Sequence, residues 1–238
     1  MIGFDVGSRT AKLVRFDDDN ISDYKIINSM NWEKLFDTLN LKDVSSVCTT
    51  GYFRKSIPNS WNITEITASI FGAKYYYPKA DVIVDIGGQD TKVIDIRNNS
   101  FKLNDKCSAG TGAFLEFVAK YFDLEVEELE KLHKESEKPI TLNQTCGIFA
   151  LSEMISQVVN HEKIENVISG MHYSFAHRIS HMVPECRSVV LVGGVVKNKG
   201  IVDALSNILN CEILIPPDPQ IINALGAARY AQQLRSKS

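Results

Sequence analysis

The sequence predicts an α/β protein built from two related lobes that face each other. Three observations carry that prediction. Short apolar runs alternate with longer segments whose apolar residues recur at helical spacing, the pattern of strands interleaved with helices. One hairpin occurs twice: Ile2-Gly-Phe-Asp5-Val-Gly7-Ser8-Arg9-Thr10-Ala-Lys12-Leu-Val14 is matched by Val82-Ile-Val-Asp85-Ile-Gly87-Gly88-Gln89-Asp90-Thr91-Lys92-Val-Ile94. Finally, the apolar strand Val189 to Val192 runs into Gly193-Gly194 and then Asn198, where a helical pattern opens.

The elements follow in order. Residues 2–6 and 11–16 read as strands around a Gly-Ser-Arg-Thr turn, and 44–49 as a third strand followed by Gly51. Residues 60–71 have a helical pattern with Ser60 as N-cap. Strands 82–86 and 91–96 flank Gly-Gly-Gln-Asp, and 101–103 reads as a further strand. Helices then dominate: 111–122, with Phe114, Leu115, Phe117, Val118, Tyr121 and Phe122 at helical spacing, the charged 124–134, then 147–159 and 164–182. A buried strand 189–192, a helix 199–209, a strand 212–215, the breakers Pro216, Pro217 and Pro219, and a last helix 220–234 complete the pattern. The two hairpins begin near residues 1 and 81, which sets a short first lobe at 1–80 and a larger second lobe at 81–238.

Composition narrows the function. The chain has 238 residues, 26 Lys and Arg against 29 Asp and Glu, and a net charge of −3, so it lacks the basic footprint of a nucleic-acid binder. Its longest apolar run, residues 189–196, is too short to span a bilayer and contains two glycines. Residues 1–5 carry no basic region, which argues against a signal peptide and for a cytoplasmic protein. Five cysteines, Cys48, Cys107, Cys146, Cys186 and Cys211, cannot all pair, and none stand at CxxC spacing for a structural zinc.

The repeated hairpins suit phosphate binding. Glycine at a hairpin tip lets backbone N–H groups approach a phosphate, and an aspartate ending the preceding strand can hold Mg²⁺ through water. Asp5 and Asp85 on opposing lobes would clamp a triphosphate and its metal. The small residues Ala224, Gly226, Ala227 and Ala228 fit either tight helix packing or a nucleotide.

Taken in order, Asp5-Val-Gly-Ser-Arg-Thr10, Asp85-Ile-Gly-Gly-Gln-Asp90 and Val192-Gly-Gly-Val-Val-Lys-Asn198 resemble the two phosphate loops and the adenosine motif of the actin, hexokinase and heat-shock ATPase superfamily. The resemblance implies two ribonuclease-H-like lobes with ATP in the cleft. It assigns Asp5, Gly7, Ser8, Thr10 and Lys12 to phosphate and metal-bound water, and Asp85, Gly87, Gly88 and Gln89 to the second clamp. Gln89 or Asp85 would orient the attacking water, and Gly193, Gly194 and Asn198 would face the adenosine. Glu153 is expected at the ribose.

Cys107 and Cys146 each precede a predicted helix, where the helix dipole favours a thiolate. Two ligands fill half of a [4Fe–4S] cluster, and a symmetric dimer would supply four. A narrower resemblance rests on Asn104-Asp-Lys-Cys107-Ser-Ala-Gly-Thr-Gly112-x-Phe-Leu and on Cys146-x-Ile-Phe149-Ala150-x-Ser152-Glu153-x-Ile155-Ser. Both resemble the signature of the 2-hydroxyacyl-CoA dehydratase activators, whose wider family includes the ATPase subunits of benzoyl-CoA reductase. That resemblance implies a homodimer whose Cys107 and Cys146 hold one [4Fe–4S] cluster between subunits. It also implies ATP hydrolysis to ADP coupled to transfer of a low-potential electron. The electron would come from a ferredoxin or flavodoxin and go to a partner iron–sulfur dehydratase or reductase.

Two other readings fit parts of the sequence. One is a small-molecule kinase of the N-acetylglucosamine kinase type, with Asp105 as the base. The other is a non-redox ATP-binding regulator. Cys48, Cys186 and Cys211 are expected as packing residues, and no histidine pair has a metal-binding pattern.

Overall fold

The structure is a computed structural model that describes residues 1–37, 46–57 and 60–236. The first hairpin is β1 (Ile2–Val6) and β2 (Thr10–Asp17), extended by β3 (Asn20–Asn28). A short helix α1 (Trp32–Phe36), the strands β4 (Val47–Gly51) and β5 (Trp61–Asn62), and the helix α2 (Glu65–Tyr76) follow. The second hairpin is β6 (Val82–Ile86) and β7 (Thr91–Asp95), extended by β8 (Ser100–Asn104). Four helices come next: α3 (Gly112–Tyr121), α4 (Val126–Glu135), α5 (Gly147–Val159) and α6 (Ile164–Ser180). The chain ends with β9 (Ser188–Val192), α7 (Lys199–Ile208), β10 (Glu212–Leu214) and α8 (Ile222–Arg235).

The repeat is larger than one hairpin. The first sheet has the order β3-β2-β1-β4-β5 and the second β8-β7-β6-β9-β10, the same topology twice. In each, the hairpin and its third strand are antiparallel, and the fourth and fifth strands run parallel to the first. The register agrees to the residue, with Asp5 opposite Lys12 and Asp85 opposite Lys92. The central strands β1, β4, β6 and β9 are buried throughout, as strands covered on both faces are, and they bury the polar residues Asp5, Thr49, Thr50, Asp85 and Ser188 with them.

Side-chain alternation assigns the faces. Val82, Val84 and Ile86 point into a core with Phe114, Leu115, Met154, Ile168, Met171, Phe175, Ile201 and Leu205, so α3 to α7 cover one face of the second sheet. Ile83, Ile94, Val190 and Val192 face the other way, onto Ala224, Leu225 and Ala228 of α8, Ala73 of α2, and Val14 and Phe16 of the first sheet. Thus α2 and α8 are the layer between the sheets. Packing there is backbone on backbone: a Cβ on Gly3 would lie 1.8 Å from the Ala224 carbonyl oxygen, and one on Gly226 1.8 Å from that of Ala68. The small residues of the last helix therefore serve helix packing, not the nucleotide. Chain order puts α8 after residue 80, yet it packs on β1, β2, β4 and α2 of the first lobe.

Three local expectations are corrected. The helix expected from Ser60 starts at Glu65, capped by the Thr64 hydroxyl that accepts the Thr67 N–H at 3.1 Å, because Trp61 and Asn62 first pair with β4. The strand expected over 44–49 starts at Val47, and Val44 and Ser45 lie outside the described residues. The strand β3 was not anticipated, since it is a polar edge strand with no buried residue. No described helix is long and apolar enough to cross a membrane.

Candidate functional site

The two hairpin turns close in the same way. Gly7 N–H donates to the Thr10 carbonyl at 3.1 Å, and Gly87 N–H to the Asp90 carbonyl at 2.9 Å. The tips face one another across a cavity of about 450 Å³, a size that suits a nucleotide. Gly7, Ser8, Thr10 and Lys12 line one wall and Gly87 and Gly88 the other, with Asp5 and Asp85 at the base. Gly193, Gly194 and Asn198 close one end. Gly193 has φ +98° and Gly51 φ +87°, a left-handed backbone that glycine adopts without strain. Their roles are equivalent. A Cβ on Gly193 would lie 2.3 Å from the Ile86 carbonyl oxygen and 2.8 Å from Asp85 Oδ1. One on Gly51 would lie 2.4 Å from that of Val6 and 2.7 Å from Asp5 Oδ1.

The charges differ between the halves. Lys12 Nζ lies 2.9 Å from Asp5 Oδ2. Lys92 Nζ instead meets Glu65 Oε2 at 2.6 Å and Asp90 Oδ1 at 2.8 Å. Asp85 Oδ2 accepts from Asn223 Nδ2 at 3.0 Å, and Ser69 Oγ stands 3.3 Å from it while donating at 2.7 Å to Asn223 Oδ1. Burial disfavours the charged form of Lys92, yet Asp85, Glu65 and Asp90 together hold it above the ordinary lysine range. Burial pushes the Glu65 carboxyl up, and Lys92 pulls it part of the way back.

Two expected residues are not among the cavity-lining set. Gln89 is exposed at the tip of its turn. Glu153 is corrected: it is an exposed residue on α5, and its Oε2 accepts the Asn143 N–H at 2.6 Å, which ties it to the loop before that helix and away from a ribose. Glu65, Asp90, Lys92, Gln220 and Asn223 line the cavity and were missed. Lys92 stands at the repeat position of Lys12, which was the available signal; the others meet only through the fold. Arg9 reaches over the tip to form an ion pair with Glu116 of α3.

Cys107 and Cys146 lie on neighbouring segments. Cys146 is the N-cap residue of α5, and its N–H donates to Asn143 Oδ1 at 2.7 Å. Cys107 sits in the loop before α3, whose N-cap is Thr111, so it precedes the helix end instead of capping it. The two segments touch: a Cβ on Gly147 would lie 2.8 Å from Ala109 Cβ. Cys107 is exposed and Cys146 half-buried, and the Arg178 guanidinium lies within electrostatic range of both thiols. The start of α3, which follows the Cys107 loop, is joined to the second hairpin turn, because Gly112 and Ala113 N–H donate to the Gly87 and Gly88 carbonyls at 2.9 and 2.8 Å. The other cysteines pack. Burial pushes Cys48 up to about 12 and Cys186 up to about 11. Cys186 and Cys211 neighbour each other against the core of the second lobe.

Below Asn198 lies a histidine pair that spacing could not reveal. The His172 and His133 rings meet edge to face at 4.8 Å between centroids. His133 bonds Asp203 Oδ2 at 3.0 Å and Ser169 Oγ at 3.1 Å. His172 is fully buried, and burial lowers its pKa to about 3, with His133 adding to the shift.

Two lobes of one topology, with paired Asp-x-Gly turns over a nucleotide-sized cavity, define an actin- and hexokinase-type ATPase fold. The comparisons agree. The chain belongs to the BadF/BadG/BcrA/BcrD ATPase family, whose sequence profile matches residues 2–231. It is 37% identical to the 2-hydroxyisocaproyl-CoA dehydratase activator of Clostridioides difficile over 97% of this chain and 94% of that one. The solved structure of that activator with bound ADPNP matches with a TM-score of 0.89, covering 100% of this chain and 97% of that one at 36% identity. Component A of the (R)-2-hydroxyglutaryl-CoA dehydratase of Acidaminococcus fermentans matches with a TM-score of 0.91 at 32% identity, over 99% of this chain and 98% of that one. A hexokinase of Thermus thermophilus matches with a TM-score of 0.53 at 10% identity, over 100% of this chain and 99% of that one, a likeness of fold alone.

Proposed function

We propose that this chain is an ATP-driven electron-transfer activator that works as a homodimer and serves an iron–sulfur enzyme of the 2-hydroxyacyl-CoA dehydratase kind. The observation that carries the reading is that the segments of Cys107 and Cys146 touch, Ala109 against Gly147, and that the helix start after the Cys107 loop is hydrogen-bonded to a phosphate turn. The dehydratase activator among its relatives, at 37% identity, supports it. In the cleft, Gly7, Ser8 and Thr10 from one lobe and Gly87 and Gly88 from the other hold the phosphates, with Lys12 adding charge. Asp5 and Asp85 hold Mg²⁺ through water, as a hard, well-hydrated cation prefers. Asp85 orients the attacking water, or Gln89 does so if its turn moves inward. Gly193, Gly194 and Asn198 face the adenosine.

The residues present fit a [4Fe–4S] cluster. Each protomer offers two thiols, one exposed and one half-buried, beside buried guanidinium N–H groups that lack a partner. Cys107 and Cys146 from two protomers make up four ligands across a two-fold axis. When bound, such a cluster supplies a one-electron couple of low potential. Ile148 and Phe149, 69% and 62% exposed just after Cys146, give the second protomer apolar surface to cover. Closure of the cleft on nucleotide acts on Gly87 and Gly88, and through their hydrogen bonds on the Cys107 loop, so the lobes and the thiol site move together. A ferredoxin or flavodoxin supplies the electron in this scheme, in the cytoplasm.

Replacing both cysteines is the test. In anaerobic preparations the wild-type dimer is expected to hold about four irons and to reduce its partner in an ATP-dependent way. The Cys107→Ser, Cys146→Ser chain is expected to lose both while still hydrolysing ATP. A doubly substituted chain that reduces its partner with ATP sinks the proposal.

A further inference from the structure

Arg178 lies on α6 behind the two cysteines. Its Nη2 donates to the Asn143 carbonyl at 2.7 Å, and Ser174 Oγ donates to the same oxygen at 2.6 Å. The side chain of Asn143 in turn accepts the Thr145 and Cys146 N–H groups at 3.0 and 2.7 Å. The guanidinium rests over the Phe114 ring with Cζ 5.7 Å from its centroid. This leaves Nε and Nη1, both shut off from water and both without a hydrogen-bond partner. Among the described residues no carboxylate pairs with Arg178.

That arrangement is expensive. A buried donor left unpaired forfeits the hydrogen bonds it had with water, and the loss is larger when the donor is charged. Anchoring the Asn143 loop does not account for it. One donor suffices for that, Ser174 already provides one, and neither uses Nε or Nη1. The cation–π contact with Phe114 offsets part of the cost but satisfies no N–H. What the site lacks is an anion, and the segments against it carry the two cysteines: Arg178 Cβ lies 4.0 Å from where a Cβ on Gly110, in the Cys107 loop, would stand, and Asn143, whose carbonyl Arg178 holds, accepts the Cys146 N–H.

We propose that Arg178 is a positioning residue for the cysteine-held centre: its two unpartnered N–H groups and its charge stabilise the extra negative charge of the reduced state. This rests on the assignment of Cys107 and Cys146 as cluster ligands. A cation fixed beside the thiolates favours the more negative member of the redox pair, so it raises the potential and helps the centre stay bound. Charge-assisted hydrogen bonds to sulfur would act in the same direction.

The experiment uses the full chain, reconstituted with iron and sulfide without air, and reads iron content together with a spectroscopic redox titration. Arg178→Gln is expected to lower the reduced-to-oxidised ratio at the wild-type midpoint at least tenfold, about 59 mV for a one-electron couple. Arg178→Lys keeps the charge with less of the donor geometry and should shift the ratio two- to tenfold. Ser174→Ala also removes a donor from the Asn143 carbonyl, and it should leave the ratio within twofold of wild type. A folded, iron-loaded Arg178→Gln chain with an unchanged ratio overturns the proposal, and so does an equal shift in Ser174→Ala, which would mark a merely structural role. If Arg178→Gln does not fold, or folds without iron, Arg178→Lys decides, and an unshifted ratio there overturns it. A wild-type chain that holds no iron after reconstitution removes the cluster assignment itself, an outcome distinct from all of these.

Discussion

In the first hairpin Asp5 faces Lys12 across the strand pair, and the lysine lies 2.9 Å from the carboxylate it faces. In the second, Asp85 faces Lys92 in the same register, yet that lysine turns to Glu65 and Asp90 at 2.6 and 2.8 Å. The cause is the helix between the sheets. Glu65, on the first turn of α2, and Asp90 in the turn both reach Lys92, while Ser69 of α2 and Asn223 of α8 meet Asp85. One strand pattern has thus been given two electrostatic settings. Asp5 has its charge met by a cation at contact distance, whereas Asp85 takes its hydrogen bonds from neutral groups and feels the Lys92 charge only through space. Identical register fixes where a carboxylate stands, and the neighbouring layer fixes what it can do.

The largest effect expected from this asymmetry is catalytic. Asp85→Asn should lower kcat for ATP hydrolysis by at least about 100-fold, the scale of losing an oriented electrostatic group, and Asp5→Asn by about tenfold. Steady-state phosphate release measures both, and equal losses would break the comparison. The glycines test the opposite idea, that the halves are equivalent in backbone. Gly51→Ala and Gly193→Ala each force a Cβ into a carbonyl at positive φ, and each should cost about 3 kcal/mol in urea unfolding. Tolerance at one site alone would show that the repeat is not structurally symmetric there.

A smaller effect separates the lobes by pH. His172 is buried and neutral in the fold, with its pKa lowered to about 3 from an ordinary 6.5. The unfolded chain therefore binds one more proton between those values. Its contribution is complete above about pH 6.5 and is lost as pH falls toward 3. Between pH 7.5 and 5 this amounts to about 2 kcal/mol, and His172→Gln should flatten the fall in Tm over that range. An unchanged slope would remove His172 as the cause. The smallest effect belongs to Arg9 and Glu116, an exposed pair joining the first hairpin to α3. Arg9→Ala should change stability by less than about 1 kcal/mol in the same urea experiment, and a larger loss would mean that the contact fastens the lobes.

How much of this was legible in the sequence depends on how local each feature is. The paired hairpins were readable because apolar strands, an Asp-x-Gly turn and a lysine stand at fixed short offsets. The full five-strand repeat was not, since β3 alternates poorly and β5 has only two residues. The sequence points to Ser60 as the cap instead of Thr64 because a serine followed by helical spacing looks alike whether or not two residues first pair with a strand. In the site, Gly193 and Asn198 announced themselves by a strand-to-helix junction. Asp90, Glu65 and Asn223 did not, being ordinary polar residues brought together from three elements. Glu153 sat in a persuasive motif but was already engaged by Asn143. Arg178 and His172 are single polar residues on one long helix, and only three-dimensional neighbours give either a meaning.

The contact between Gly3 and the backbone of α8 has one more consequence. During synthesis β1 leaves the ribosome well before the carbonyl of Ala224 that closes over it. The first sheet must wait, open on one face, while the second lobe is made. Contacts of such long range slow folding and leave apolar strands exposed in the meantime. The nascent first half is therefore where chaperone binding or aggregation would concentrate, and α8, which completes the layer between the sheets, ends that exposure only once the second sheet has been made.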